Sequence, residues 1–458
     1  MQKEKEQKKT KRKEPLDMLG GSPGRALIFF AVPMILGNLL QQFYNMADSV
    51  IVGRFVGEDA LAAVGASYSL TTVFIMIAIG GGVGASVIIS QYLGAREYAK
   101  MRTAISTALL TFLAVSVALA VLGLFANRTI LASLKTPENI LEEAVLYLNI
   151  YFMGLPFLFM YNVLSSIFNA MGKSNIPLYL LMFSTVLNII LDLVAVIVFQ
   201  KGVAGVAVAT VFAQGIASVI SFSILLRRLK EYEDGGKTKK YDVEILKNMV
   251  KIAIPSILQQ SIVSIGMLLV QSVVNGFGSS VVAGYSAGMR IESICIVPMI
   301  AMGNAISTFT AQNIGAGQTD RVKKGYRAAY GIIFVFAAVI CATLLLRKNQ
   351  IISMFVGGNE SSLAFQTGID YLSFIAYFFI FIGLKALTDG VLRGSGDVFV
   401  FTIANLCNLA VRVSIAFLCA PLWGVQAVWY AVPLGWLTNY IISFARYLTG
   451  KWEGKRLI

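Results

Sequence analysis

Apolar residues in this chain come in stretches of about twenty or more, and polar residues collect in the gaps between them. A helix needs roughly 20 predominantly apolar residues to cross a bilayer. Stretches of that kind lie at 26–50, 61–90, 103–125, 145–170, 176–199 and 203–226. A second set lies at 250–274, 281–311, 327–346, 371–393, 399–420 and 425–447. The pattern predicts twelve spanning helices, six on each side of a polar segment at 227–247. The first run is much longer than the about 7–15 residues of a signal-peptide core, so it is expected to stay as a helix. The lysine-rich residues 1–17 before it read as a solvated tail.

The two sets repeat one another. Ala31-Val32-Pro33 returns as Ala253-Ile254-Pro255, an offset of 222, and Gln91-Tyr92-Leu93-Gly94-Ala95 returns as Gln312-Asn313-Ile314-Gly315-Ala316, an offset of 221. Tyr147-Leu148 and Gly172 return as Tyr371-Leu372 and Gly396 at 224, and Gly205-Val206 as Gly424-Val425 at 219. Each set has an even number of spans, so the repeats are parallel and related by an axis along the membrane normal. The expectation is an all-α membrane protein: twelve transmembrane helices in two pseudo-symmetric six-helix lobes around a central cavity. The lobes are expected at 26–226 and 250–447, with tails at 1–25 and 448–458 and an inter-lobe linker at 227–249.

Charge orients this arrangement. Alternate connections carry 29 Lys and Arg, counting both tails, and the other connections carry only Arg54, Arg128, Lys135, Lys201, Arg347 and Lys348. Cytoplasmic loops hold the excess of Lys and Arg, so both termini are expected in the cytoplasm, with the chain in the cell membrane. The same bias accounts for the net charge of +14 on 458 residues without any nucleic-acid partner. Only 14% of residues are charged, against about 25% in soluble domains. The absence of His excludes a Ser-His-Asp triad and His-ligated zinc. With no other nucleophile constellation and no sizeable extramembrane domain, an enzyme is not expected, and no cofactor or structural metal either.

A charge inside a span costs about 2.5–3.5 kcal/mol on insertion scales, so each needs a reason. Gln41, Asn45 and Asp48 share one face of the first span, and Asn188 and Asp192 one face of the fifth, with Thr210 on the sixth. If these spans pack together, two carboxylates and several neutral oxygens converge. Two carboxylates in a low-dielectric site cannot both stay ionised cheaply, so one is expected to hold a proton; the same oxygens could coordinate Na⁺ instead. The repeat provides a control. Gln41, Asn45 and Asp48 fall on Val263, Met267 and Val270, Asn188 and Asp192 on Arg412 and Ala416, and Thr210 on Trp429. The cluster therefore belongs to one lobe. In the other lobe Lys385 and Asp389 read as an i, i+4 ion pair. Arg290, Glu292 and Arg412 are left as cavity or ion-pair candidates.

Other patterns carry less. Cys295, Cys341, Cys407 and Cys419 lie in apolar runs without metal spacing and read as packed thiols. Gly80-Gly81-Gly82-Val83-Gly84 sits mid-span, where small residues allow close helix approach. Gly172-Lys173-Ser174 lacks the leading glycine and strand of a phosphate loop. Asn127-Arg128-Thr129 and Asn359-Glu360-Ser361 are sequons with meaning only in a secretory compartment.

Val32-Pro33, Asn45 through Asp48 with Gly53, Leu61-Ala62-Ala63-Val64-Gly65, the two Gln-x-x-Gly-Ala repeats and Leu392-Arg393-Gly394-Ser395-Gly396-Asp397 together resemble the multidrug and toxic compound extrusion (MATE) family. The resemblance covers roughly residues 18–447. It implies a secondary transporter exporting organic cations and other drugs in exchange for H⁺ or Na⁺. It further implies a coupling-cation site at Asp48, Asn188, Asp192 and Thr210, with Gln41 as a further member. Some members also use a carboxylate on the seventh span, where this chain has only Gln259, Gln260 and Gln271. The expected partners are the lipid bilayer and small amphipathic, cationic substrates, and the two-lobe design is expected to work as a monomer. A flippase for lipid-linked saccharides, a task of related folds, is the alternative.

Overall fold

The computed structural model describes residues 18–458 except 135, 234 and 357–361. The tail at 1–17, Lys135 and the Asn359-Glu360-Ser361 sequon lie outside the described residues. The first six spans are α1 (Pro23–Ile51), α2 (Glu58–Gly94), α3 (Tyr98–Ser133), α4 (Glu138–Ala170), α5 (Asn175–Leu193) and α6 (Gly202–Leu229). The seventh is α7 (Val243–Asn275). The eighth is broken into α8 (Ser279–Cys295) and α9 (Val297–Gly315), the break falling at Ile296 ahead of Pro298, which sits in the first turn of α9 where its missing N–H costs no helical hydrogen bond. The ninth is α10 (Thr319–Val356). The tenth is α11 (Leu363–Ile375) and α12 (Phe379–Ser395), joined by a 3₁₀ turn at Ala376–Phe378. The last two are α13 (Val398–Trp423) and α14 (Gln426–Leu448).

Among the described residues, eleven helical segments are long and apolar enough to cross a membrane by length and composition. The twelfth span, α14, has 23 residues, but Gln426, Thr438, Asn439 and Arg446 dilute its hydropathy. Local chemistry sets several ends. Asp242 caps α7 by accepting from the Glu244 and Ile245 amides at 3.0 and 3.3 Å. Gly396 ends α12 in the left-handed region, with φ 94°.

The lobes share a packing plan. α4 packs on α2, α3 and α6, and α6 on α5; in the second half α12 packs on α9, α10 and α14, and α14 on α13. Between lobes, α2 lies along α7 and crosses α9. Glycines make that approach possible: a Cβ on Gly80 or Gly84 would sit 2.7 Å from the Ile257 amide or 2.5 Å from the Met249 carbonyl. The interface is tightest at the end bearing the termini. There a Cβ on Gly94 would lie 1.9 Å from the Gln312 carbonyl, and one on Gly315 2.0 Å from the Gln91 carbonyl. The two Gln-x-x-Gly-Ala repeats thus pack against each other across the pseudo-symmetry axis. Gln312 Nε2 donates to Ala170 O at 2.8 Å and Gln91 Nε2 to Gly394 O at 3.2 Å.

The chain ends reinforce this seam. Trp452 is fully buried, Leu457 N donates to Gln91 Oε1 at 3.0 Å, and Asn248 Nδ2 donates to Leu457 O at 2.9 Å. Arg321 holds the backbone of Met18, Gly20 and Gly21 ahead of α1. Met76 meets Ser264 at 3.8 Å, but Tyr68, two turns further along α2, is 61% exposed.

Candidate functional site

The N-lobe cluster forms where α1, α5 and α6 converge. Asn188 and Asp192, one turn apart on α5, are 1% and 0% exposed. With its amide assigned the orientation that satisfies both of its groups, Asn188 donates Nδ2–H to Asp192 Oδ2 at 3.0 Å and accepts from the Thr210 amide at 3.2 Å. Asp48 approaches from α1, and the two carboxyls meet within hydrogen-bonding reach. Two ionised carboxylates cannot hydrogen-bond to each other, so a shared proton or a bound cation is what would reconcile them at this separation. Asp48 Oδ1 and Asp192 Oδ1 are buried without a donor among the described residues. The site therefore offers clustered carboxyl and amide oxygens in a low-dielectric pocket, suited to H⁺ or a hard cation such as Na⁺. No group of three or more His, Cys, Asp or Glu able to hold a metal occurs among the described residues.

Both carboxylate helices end in the same irregularity. α1 runs into a π-helical turn at Val52–Val56 and α5 into one at Val194–Val198, and the two turns touch. π turns widen a helix and recur at functional sites. The counterparts α7 and α13 end without one.

The predicted members do not all join. Gln41 Nε2 donates to Asn45 Oδ1 at 3.2 Å, and neither bonds to a carboxyl among the described residues. Asn45 is exposed, while Gln41 lines the central cavity. Three tyrosines that the sequence reading passed over stand around the aspartates. Tyr44 and Tyr147 are electrostatic neighbours of both, and Tyr151 lies behind them. Tyr44 precedes Asp48 by one helical turn, a spacing that could have flagged it.

Two adjoining cavities, of about 220 and 310 Å³, lie between the lobes. Asn304 and Arg393 border both. Arg393 was counted with the loop cations, but it is 9% exposed in the last turn of α12 and donates to Asn304 Oδ1 at 2.8 Å and Ser307 Oγ at 3.3 Å. Lys385 and Asp389 form the expected pair at 3.0 Å, with Ser443 donating to Asp389 at 2.8 Å. Glu292 is buried and accepts the Tyr371 hydroxyl. Arg412, also buried, makes no ion pair among the described residues. Arg290 corrects the expectation: it is exposed and lines neither cavity. Residues two apart on a helix point to different sides, and Glu292 takes the inward one.

The chain matches the MatE family at residues 33–194 and 255–418, one segment in each lobe. It is 31% identical over 443 residues to the Bacillus subtilis (strain 168) protein named "Probable multidrug resistance protein YpnP", covering 96% of this chain and 98% of that one. Among solved structures, a MATE protein in the bent conformation superposes with a TM-score of 0.88 at 25% identity, covering 96% of this chain and 98% of its own. A MATE family multidrug resistance transporter in an outward-facing conformation gives 0.87 at 25% identity with the same coverage. The twelve-span, two-lobed architecture and the repeated match lead to one assignment: this chain belongs to the MATE family of multidrug efflux transporters.

Proposed function

We propose that this transporter exports amphipathic organic cations in exchange for H⁺ or Na⁺ by alternating access, with Asp48 and Asp192 carrying the coupling ion. The observation behind it is the meeting of the two carboxyls, with unpartnered oxygens, in one lobe only. With Arg393 set aside, the 28-to-6 loop bias favours a cell-membrane protein with both termini inside. The seam at the termini end is then the closed inner gate, and the structure is outward-facing. The cargo binds between the lobes from inside, the lobes rock outward, and the incoming ion at the aspartates favours release and return. The electrical side balances: moving one charge across 100 mV is worth about 2.3 kcal/mol, and one H⁺ in for one monovalent cation out cancels it. No enzymatic step, cofactor or second subunit is needed.

A flippase of polyanionic lipid headgroups calls for a basic cavity. Arg393 and Arg412 favour that reading, while Asp389 and Glu292 in the same wall weigh against it. The test is fluorescent-dye export from reconstituted vesicles, driven separately by pH and Na⁺ gradients. Movement under one gradient, lost in both Asp48→Asn and Asp192→Asn, is the expected result. Export surviving both substitutions removes the site. No movement under either gradient favours lipid-linked saccharides, to be tried next.

A further inference from the structure

We propose that the C-lobe wall of the central cavity is an acid-binding subsite, in which Arg412 receives a carboxylate or phosphate carried by the transported molecule. Arg412 is 7% exposed and lines the cavity of about 220 Å³. Its Nε and Nη2 find no acceptor among the described residues. The Tyr285 hydroxyl lies beside it, 1% exposed and within side-chain reach of the guanidinium, a neutral group there to meet it. A guanidinium held out of water is costly unless something accepts from it. Its planar fork of donors matches a carboxylate or phosphate better than any other group.

The neighbouring charges are already engaged. Lys385 is bound to Asp389, Arg393 to Asn304 and Ser307, and Glu292 to Tyr371. Glu292 is near enough to feel the guanidinium but forms no ion pair with it. Three cations and two carboxylates line this wall, so it is net positive. The lobe repeat sharpens the contrast. Arg412 stands at the position of Asn188, and Ala416 at that of Asp192. Where one lobe gathers acidic oxygens, the other offers an unpaired cation. The cargo is then amphoteric, bearing an acid as well as a basic nitrogen. That the ligand is cargo rests on the export reading; that the subsite binds an acid does not.

The experiment is equilibrium binding of rhodamine B, which has a free carboxylate, and of its ethyl ester to the purified full-length protein in nanodiscs of neutral lipid. The free acid is expected to bind about tenfold more tightly, the contribution of one charge-assisted contact. Benzoate and phenyl phosphate, as competitors, distinguish carboxylate from phosphate. Arg412→Gln should collapse the preference. Asn408→Asp should do the same with the arginine kept, because it supplies an acid one turn away in the same wall. Equal affinities for the two dyes in the unaltered protein overturn the subsite, as does a preference that survives both substitutions. Gradient-driven transport of the ester with no binding preference leaves export standing and the subsite refuted. A binding preference without transport of either dye does the reverse.

Discussion

Gly94→Ala tests whether the seam between the two Gln-x-x-Gly-Ala repeats is the gate. The new Cβ would lie 1.9 Å from the Gln312 carbonyl, where ordinary contact begins at 3.4 Å, so backbones of opposite lobes must separate by about 1.5 Å. No side-chain rotation relieves a clash with backbone. Overpacking of this kind costs about 1–3 kcal/mol. The separation also strains the Gln312–Ala170 and Gln91–Gly394 hydrogen bonds, worth about 0.5–1.5 kcal/mol each. Roughly 2 kcal/mol at the least falls on the closed seam, about a 30-fold shift in the conformational equilibrium. The partners lie in different lobes, so neither lobe's own fold bears the penalty. The assay is a spin-label distance between Lys100→Cys and Lys324→Cys, both exposed beside the seam, after replacing the four native cysteines. Gly94→Ala, and independently Gly315→Ala, should lengthen the distance. Gly65→Ala, whose Cβ meets nothing within 4 Å, should not. An unchanged distance in both seam variants refutes the gate.

Asp389→Asn leaves Lys385 buried without its counter-charge and should cost about 3–5 kcal/mol, lowering the Tm of the purified protein; Lys385→Met with Asp389→Leu should restore much of it. Tyr371→Phe removes the donor to Glu292 and should cost about 1–3 kcal/mol in the same thermal assay. Removing residues 455–458 takes Leu457 away from Gln91 and Asn248, and should broaden the same spin-label distance toward longer values.

Most of the architecture was legible because bilayer thickness sets a length that apolar runs reveal directly. Asp48, Asn188, Asp192 and Thr210 were legible for a related reason: polar groups inside such runs are scarce, and helical spacing aligns them. Arg393 was hidden by its neighbours. Gly394-Ser395-Gly396 looks like a loop, yet α12 continues through Ser395 and carries the arginine inward. Tyr44 and Tyr147 were lost among 18 tyrosines, since aromatic residues inside a bundle need no special reason. Arg290 and Glu292 were both left as cavity or ion-pair candidates, because their positions in the sequence did not show which of the two faced inward. The break at Ile296 had a signal in Pro298; the one at Ala376–Phe378 contains neither Gly nor Pro and shows only in three dimensions.

The π turn at Val52–Val56 accommodates one residue more than an α-helix would over the same length. Ala31 and Gly57 are 26 positions apart, whereas their counterparts Ala253 and Gly278 are 25 apart. Both glycines have positive φ, 130° and 95°, and each precedes the first residue of the next helix, so they are equivalent points in the two lobes. The extra residue lies between them, on the helix of Asp48. In genealogical terms, the drift of the repeat from 222 to 221 is the mark of a one-codon difference acquired after duplication. Each helical residue turns the chain by about 100°, and the wider π turn takes up that rotation, so the helix beyond keeps its equivalent place in the lobe at a constant offset of 221. Two copies of one bundle could diverge from there.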